Sequence, residues 1–180
     1  MQKKIVITGG PGTGKSSLIN ALIRQGFFCM PEISRKVTLD AQENGIEQLF
    51  LEEPLLFSEL LLEGREQQFI NAEKESDRIV FFDRGIPDVH GYMNYMGIDY
   101  PDVYKEKSLF YRYTTILMTP PWQEIYQSDN ERYESYEQSL SIHNHLKKTY
   151  LELEYSILDV PIGSIKDRVR FILNSVMPQI

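Results

Sequence analysis

The feature that most constrains the fold is the segment GGPGTGKSS, residues 9–17, which follows a short apolar run near the start of the chain. Gly9, Gly14, Lys15 and Ser16 satisfy the phosphate-binding loop (P-loop) pattern G-x-x-x-x-G-K-S/T. This loop requires a strand before it and a helix after it, and the flanking sequences KIVIT and LINALIRQ are typical of both. We therefore expect an α/β fold with the loop at the carboxyl end of the first strand.

Each residue type in this segment has a physical task. Glycines let the backbone curve so that successive N–H groups point at phosphate oxygens, and the helix that follows adds the positive end of its dipole. Lys15 is expected to reach the β- and γ-phosphates, and Ser16 to offer its hydroxyl to Mg²⁺. The residues predicted to bind the nucleotide are Gly10, Pro11, Gly12, Thr13, Gly14, Lys15, Ser16 and Ser17.

Strand and helix patterns alternate along the rest of the chain. Predicted strands cover residues 4–8, 27–30, 78–83, 114–119 and 156–160. Predicted helices cover residues 15–24, 54–75, 87–95, 101–111, 134–154 and 164–176, and residues 40–52 fit either a solvated helix or a loop. Most of the strands lack polar alternation, which favours a doubly wound parallel sheet with helices on both faces.

Composition limits the classes of protein to consider. The chain has 180 residues, 42% of them hydrophobic, and no linker rich in Gly, Ser or Pro, so we expect one domain over residues 1–180. A net charge of -7 argues against general nucleic-acid binding. Because the apolar runs are too short for a signal peptide or a membrane span and Cys29 is the single cysteine, we expect a soluble, cytoplasmic protein.

The residues after the third strand narrow the class of P-loop protein. Asp83 ends that strand and is expected to hold Mg²⁺ directly or through water, the alternative being an Asp that only ends a strand in a turn. Arg84 follows where a motor ATPase usually has a water-activating Glu, and Ile86 stands where a GTPase has Gly in D-x-x-G. No N-K-x-D guanine motif occurs. A small-molecule kinase with ATP as donor is the favoured class, and GTP remains an alternative donor.

A kinase must also orient the acceptor hydroxyl. Glu32 lies just past the second strand, at the edge of the sheet where ligands bind in such folds. We expect it to act as general base or acceptor ligand, the alternative being a solvated Glu in a turn. The other predicted acceptor-binding residues are Arg35, Arg84 and Asp88, with Arg65 and Gln68 as further candidates to line the pocket; the arginines could instead be ordinary surface residues.

The stretch after the fourth strand suggests a lid. Pro120 and Pro121 stop that strand, and a polar segment follows, so residues 120–137 are predicted to open and close over the phosphates. Arg132 is the only Arg of the segment and is the candidate for neutralising charge on the transferring phosphoryl group. The alternative is an exposed Arg paired with Asp129 or Glu131.

Five segments together resemble a known family: GGPGTGKSS, PEISR, FFDRGIPD, PPWQEIYQSDNER and VPIGSIKDRVRFIL. They are similar to the kinase-like "AAA domain" family of predicted ATPases, which includes the ribosylnicotinamide kinase domain of bacterial regulators of NAD metabolism. The resemblance implies a three-layer P-loop fold with five parallel strands in order 2-3-1-4-5, Mg-ATP as donor and a mobile lid. It further implies that residues 12–17 bind ATP, Asp83 lies at Mg²⁺, Arg132 is the lid arginine and residues 160–164 lie near the adenine.

Two classes of function follow from these residues. The leading hypothesis is a Mg-ATP-dependent phosphotransferase that acts on a small nucleoside- or nucleotide-like acceptor. The alternative is a regulatory switch that binds and slowly hydrolyses ATP or GTP, with a nucleotide-sensing module without turnover as a weaker variant. Acceptor-stimulated ADP release would distinguish the first hypothesis from the second.

Overall fold

A computed structural model describes residues 1–126 and 134–177. Within these residues the strands are β1 (Lys3–Thr8), β2 (Phe28–Met30), β3 (Ile79–Asp83), β4 (Thr115–Met118) and β5 (Ile157–Asp159). The helices are α1 (Lys15–Arg24), α2 (Ile33–Glu43), α3 (Leu49–Glu52), α4 (Pro54–Ala72), α5 (Pro87–Met96), α6 (Val103–Phe110), α7 (Tyr136–Glu152) and α8 (Ile165–Val176), with a short 3-10 turn at Gln123–Ile125. The strands form one parallel sheet in the order β2-β3-β1-β4-β5. The predicted fold class and strand order are confirmed.

Both faces of the sheet are apolar, which explains why the strands lack polar alternation. In β1 the buried side chains of Ile5 and Ile7 face one core, which includes Leu18 and Leu22 of α1 and Ile172 of α8. Val6, between them, faces the other core. That core is formed with residues of α4, α5 and α7, among them Leu61, Phe69, Val89, Met93 and Leu146. Helices therefore cover the sheet on both sides, as buried parallel strands require.

The strand register brings several chain segments to one edge of the sheet. In the parallel pairs, Ile7 lies beside Asp83 and Thr8 lies beside Met118. The loops that follow β1, β2, β3 and β4 consequently emerge at the same carboxyl edge. Ligands bind at this edge in open α/β sheets. The predicted P-loop residues, Glu32, Arg84 and Asp88 lie in these loops or at the starts of the helices after them, and Asp83 ends β3.

The region after β2 is more helical than its sequence pattern indicates. α2 starts at Ile33 and α3 forms a single turn, whereas only residues 40–52 had been considered for a helix. Gly45, with φ 86°, lies in the turn between the two helices, so residues 40–52 contain parts of both helices and the loop between them. α2 lies near the surface: of its side chains only Ala41 is buried, while Ile33 and Val37 are partly buried against the core. The spacing of four residues between Ile33 and Val37 is a helix signal that the sequence analysis did not use.

Two other expectations can be placed only in part. The predicted lid contains the 3-10 turn and the first turn of α7, but residues 127–133, including Arg132, lie outside the described residues. None of the helices in the described ranges is both long enough and apolar enough to cross a membrane.

Candidate nucleotide-binding and acceptor site

The P-loop curves back on itself before α1. Gly9, Gly12 and Gly14 have φ values of 140°, 72° and 81°, which L side chains rarely adopt. A Cβ on Gly9 would stand 2.4 Å from the Thr119 hydroxyl oxygen, so this position requires glycine for space as well as for conformation. Gly14 directly precedes α1, and the unpaired N–H groups of the first turn of that helix open beside the loop.

Lys15 rests on the carbonyl groups of its own loop. Its Nζ donates hydrogen bonds to the oxygens of Gly9 at 3.0 Å and Gly10 at 2.7 Å, and to the Thr13 hydroxyl at 3.3 Å. Burial lowers the pKa of Lys15 to about 7, the positive charge of Arg84 acting in the same direction. The ammonium group therefore lies inside the cradle that was predicted to hold phosphates.

Three elements from elsewhere in the chain fix the P-loop. The Thr13 hydroxyl lies 2.7 Å from that of Thr119, just after β4, and Thr119 in turn bonds the carbonyl of Thr8. Ser139 in α7 donates to the Pro11 carbonyl at 2.7 Å. Arg168 in α8 donates to the Thr13 carbonyl at 3.1 Å. The loop consequently keeps its curvature through bonds within the protein.

Asp83 and Ser16 supply oxygen atoms from the two elements next to the P-loop, the end of β3 and the first turn of α1. Asp83 ends β3 and is 6% exposed, and Ser16 is exposed in the first turn of α1. Burial raises the pKa of Asp83, whereas the charges of Lys15 and Arg84 oppose that rise. No cluster of three His, Cys, Asp or Glu side chains exists in the described part of the chain. A hydroxyl and one carboxylate still fit Mg²⁺, which keeps several waters and takes further oxygens from bound phosphates.

Arg84 adopts an unusual backbone conformation to reach the loop. Its φ of 69° lies in the left-handed region, which costs roughly 1–2 kcal/mol for a residue with a side chain. Contacts on all sides hold it there: Nη1 donates to the Gly9 carbonyl and to Asp88 Oδ1, both at 3.1 Å, and the guanidinium lies 5.3 Å from the ring centre of Tyr92. Lys15 and Arg84 thus converge on one carbonyl oxygen, that of Gly9.

Asp88 lies behind Arg84. Its side chain is fully buried and accepts hydrogen bonds from the Gly85 N–H at 2.9 Å, from the Tyr150 hydroxyl at 2.6 Å and from Thr8. Burial raises the pKa of Asp88. The charge of Arg84 and the hydrogen bonds from Thr8 and Tyr150 lower this pKa by more, so the carboxylate is ionised. In this arrangement Asp88 positions Arg84, and its predicted contact with an acceptor stays a prediction.

Glu32 immediately precedes α2, and its carboxylate interacts electrostatically with Arg84 and Lys15. The Ser34 hydroxyl donates to Glu32 Oε1 at 2.6 Å. Burial raises the pKa of Glu32, but this hydrogen bond and the charges of Arg84 and Lys15 lower it by more, and the net shift is downward. Glu32 is therefore an ionised carboxylate in electrostatic contact with the P-loop cation.

Two side chains of α4 donate hydrogen bonds to the backbone next to Glu32 and Arg84. Gln68 donates to the Pro31 carbonyl at 2.6 Å, directly before Glu32. Arg65 donates to the Gly85 carbonyl at 2.9 Å, directly after Arg84, and its buried Nε has no hydrogen-bond partner. These two candidates therefore contact the backbone next to Glu32 and Arg84, whereas Arg35 is exposed on the first turn of α2. The acceptor roles of all three stay predictions.

The sequence analysis did not identify several residues that contact the P-loop, among them Thr119, Tyr126, Ser139 and Arg168. A Cβ on Gly12 would lie 2.4 Å from the ring of Tyr126, whose hydroxyl donates to the Glu134 carbonyl. Neither Tyr126 nor Ser139 shows a local signal for such a role. Arg168 lies four residues before buried Ile172 on the apolar stripe of α8, which indicates that it is buried but not that it contacts the P-loop.

A parallel sheet of this order, with a P-loop before α1 and an acidic residue at the end of the adjacent β3, defines a P-loop domain with the nucleoside and nucleotide kinase fold. The chain belongs to the AAA domain family, whose profile matches residues 4–168. The family resemblance drawn from the sequence is confirmed. No curated protein sequence matches the chain.

Solved structures of kinases share this fold. Deoxyadenosine kinase from M. mycoides with the products dCMP and dCDP aligns with a TM-score of 0.70 and 15% identity over 96% of this chain and 98% of that one. NadR protein in complex with NR aligns with a TM-score of 0.74 and 17% identity over 97% of this chain, which spans 50% of the NadR chain. NadR with NAD and AMP-PNP aligns with a TM-score of 0.69 and 17% identity.

Proposed function

We propose that this protein is a Mg-ATP-dependent kinase that phosphorylates a hydroxyl group of a small, nucleoside-like molecule. The observation that carries the proposal is the convergence of Lys15 and Arg84 on the Gly9 carbonyl, beside the ionised carboxylate of Glu32. Two cations suit a transferring phosphoryl group, and a carboxylate suits the hydroxyl that attacks it. A site for nucleotide binding alone would not need the carboxylate.

On the donor side, the P-loop and the first turn of α1 bind the phosphates through backbone N–H groups. Lys15 exchanges its carbonyl partners for β- and γ-phosphate oxygens. Ser16 and Asp83 would hold Mg²⁺, which neutralises phosphate charge when bound. The buried walls around Lys15 strengthen its attraction to the phosphates, because charges interact more strongly where water is excluded.

On the acceptor side, Glu32 orients the hydroxyl and accepts its proton. The acceptor oxygen forms a bond to the γ-phosphorus as the bond from that phosphorus to the β,γ-bridging oxygen breaks, and ADP leaves. Arg84, whose guanidinium donates to the same Gly9 carbonyl as Lys15, stabilises negative charge on the transferring group. Gln68 and Arg65 hold the backbone next to Glu32 and Arg84, so both side chains are positioned before the substrate arrives.

The nucleoside character of the acceptor is supported by the proteins of similar fold. One is a deoxyadenosine kinase and another, NadR, is in complex with NR. At 15–17% identity, these structures support nucleosides and nucleotides as the compounds to test as acceptors.

The test is a coupled measurement of ADP release and product mass. The purified protein is incubated with Mg-ATP and a panel of nucleosides and nucleotides, NR included. We expect at least one acceptor to stimulate ADP release and to gain one phosphoryl group in the mass spectrum. Glu32→Gln should lower kcat by roughly 10²- to 10⁴-fold while leaving nucleotide affinity nearly unchanged.

The control is Glu43→Gln, at the exposed end of the same helix, which should behave like the native protein. ADP release that is steady, independent of every acceptor and insensitive to Glu32→Gln would contradict the proposal. That result would support the slow regulatory NTPase instead.

A further inference from the structure

Arg168 is a buried cation beside the P-loop. Its side chain is 3% exposed, one N–H donates to the Thr13 carbonyl at 3.1 Å, and its Nε is buried without a hydrogen-bond partner. No carboxylate within the described ranges forms an ion pair with it. Burial lowers the pKa of Arg168, and no neighbouring acid opposes that shift.

The missing counter-charge is notable because an acidic side chain is available on the same helix. Asp167 precedes Arg168, yet it pairs with the exposed Arg170 at 3.2 Å and accepts from the Ser164 hydroxyl at 2.6 Å. A charged group that is removed from water without a partner destabilises the fold. Among residues 1–126 and 134–177, no carboxylate therefore balances the positive charge of Arg168.

The position of that charge indicates which ligand balances it. Arg168 Nη1 lies 2.9 Å from the point where a Cβ of Gly14 would stand, so the guanidinium lies against the backbone that opens α1. The N–H groups of this helix end already attract anions. A bound polyphosphate would thus lie on one side of the loop with Lys15, and Arg168 would lie on the other.

We infer that Arg168 is a positioning residue of the donor site: it holds the P-loop through Thr13, and the phosphates of the bound nucleotide supply the counter-charge for its guanidinium. The inference rests on the proposed function only in taking a nucleoside polyphosphate as ligand. It goes beyond that function because the cation comes from α8, which contains no part of the P-loop motif. If Arg168 held the loop only through its hydrogen bond to Thr13, the charge of the replacement residue would not affect nucleotide affinity.

The test compares Arg168→Met, which keeps the length of the side chain and removes its charge, with the matched variant Arg170→Met on the same helix. Calorimetry with Mg-ATP gives Kd, and urea unfolding gives the stability of the ligand-free protein. We expect Arg168→Met to bind about tenfold more weakly, which corresponds to about 1.4 kcal/mol. In its ligand-free form, removal of the buried charge offsets loss of the hydrogen bond to the Thr13 carbonyl, so unfolding should occur at the same or a higher urea concentration. Arg170→Met should bind as the native protein does.

Arg168→Lys retains the charge and should bind within about threefold of the native Kd, a difference of under about 1 kcal/mol. If Arg168→Met does not fold, Arg168→Gln replaces it with the same expectation. Equal Kd values for the native protein and the uncharged variant would overturn the inference, as would an Arg168→Lys protein that binds as weakly as Arg168→Met. Failure of the native protein to bind Mg-ATP would instead remove the proposed function.

Discussion

At the scale of single residues, the ionisation of Glu32 results from opposing effects. Removal from water raises its pKa, and the Ser34 hydroxyl and the nearby cations of Arg84 and Lys15 lower it by more. The carboxylate is thus ready to accept a proton throughout the neutral range. A group of this kind supports activity above its pKa, and the activity is lost as the pH falls through that value.

Ser34→Ala tests this balance. Without the hydroxyl the pKa of Glu32 rises, so the acidic limb of the profile of kcat/KM against pH should move to higher pH, while the rate at neutral pH changes little. Thr38→Ala, one turn further along α2, is the control and should leave the limb in place. An unmoved limb in Ser34→Ala would show that Glu32 is not the titrating base.

Sequence predicted the residues whose roles depend on their neighbours in the chain. Lys15 and Ser16 follow from the P-loop pattern, and Asp83 and Glu32 follow from their places directly after strands. Arg168 and Ser139 could not be found in this way, because their partners Thr13 and Pro11 lie 155 and 128 positions away. Such contacts depend on how helices pack, which no local pattern specifies.

At the scale of elements, α7 connects a local helix signal to the shape of the P-loop. Its start is fixed by a capping box, in which the Gln138 N–H bonds the Ser135 hydroxyl at 3.2 Å and the Ser135 N–H bonds the Gln138 side chain at 2.6 Å. Ser139 follows at once and is buried against Pro11. A serine hydroxyl therefore stabilises the helix as an acceptor at Ser135 and the loop as a donor at Ser139.

These two serines should respond differently to removal of the hydroxyl. Ser135→Ala is expected to lower the free energy of unfolding by about 1 kcal/mol through loss of the cap, with an unchanged Kd for Mg-ATP. Ser139→Ala leaves the Pro11 carbonyl without its donor, so it should lower stability by about 1–3 kcal/mol and also weaken nucleotide binding. Urea unfolding measures stability and calorimetry measures Kd. Equal Kd values for the two variants would show that the contact of α7 with the P-loop does not affect nucleotide binding.

At the scale of the whole molecule, charge is distributed unevenly. The chain carries a net charge of -7, yet the buried surroundings of the P-loop contain Lys15, Arg65, Arg84 and Arg168. The overall charge disfavours binding to extended polyanions, and the local cations favour a small one. The sheet order was expected from family resemblance, because the pairing of distant parallel strands cannot be deduced from their own residues.

The place of the Lys15 ammonium on the Gly9 and Gly10 carbonyls makes ligand binding a proton-linked event. Its pKa is about 7 in the free protein, and phosphate oxygens in place of carbonyls will raise it. At pH 8 Lys15 should therefore take up a proton from solvent when the nucleotide binds, and affinity should decline by up to about tenfold for each pH unit above 7.

Titration calorimetry at pH 8 in two buffers of different ionisation enthalpy would reveal this uptake as two different apparent heats. Lys15→Arg, which stays charged, should give the same heat in both buffers. Identical heats for the native protein would show that its lysine is already protonated before the nucleotide arrives. Different heats would show that protonation of Lys15 and nucleotide binding are coupled, so that the P-loop responds to hydrogen-ion concentration as well as to the nucleotide.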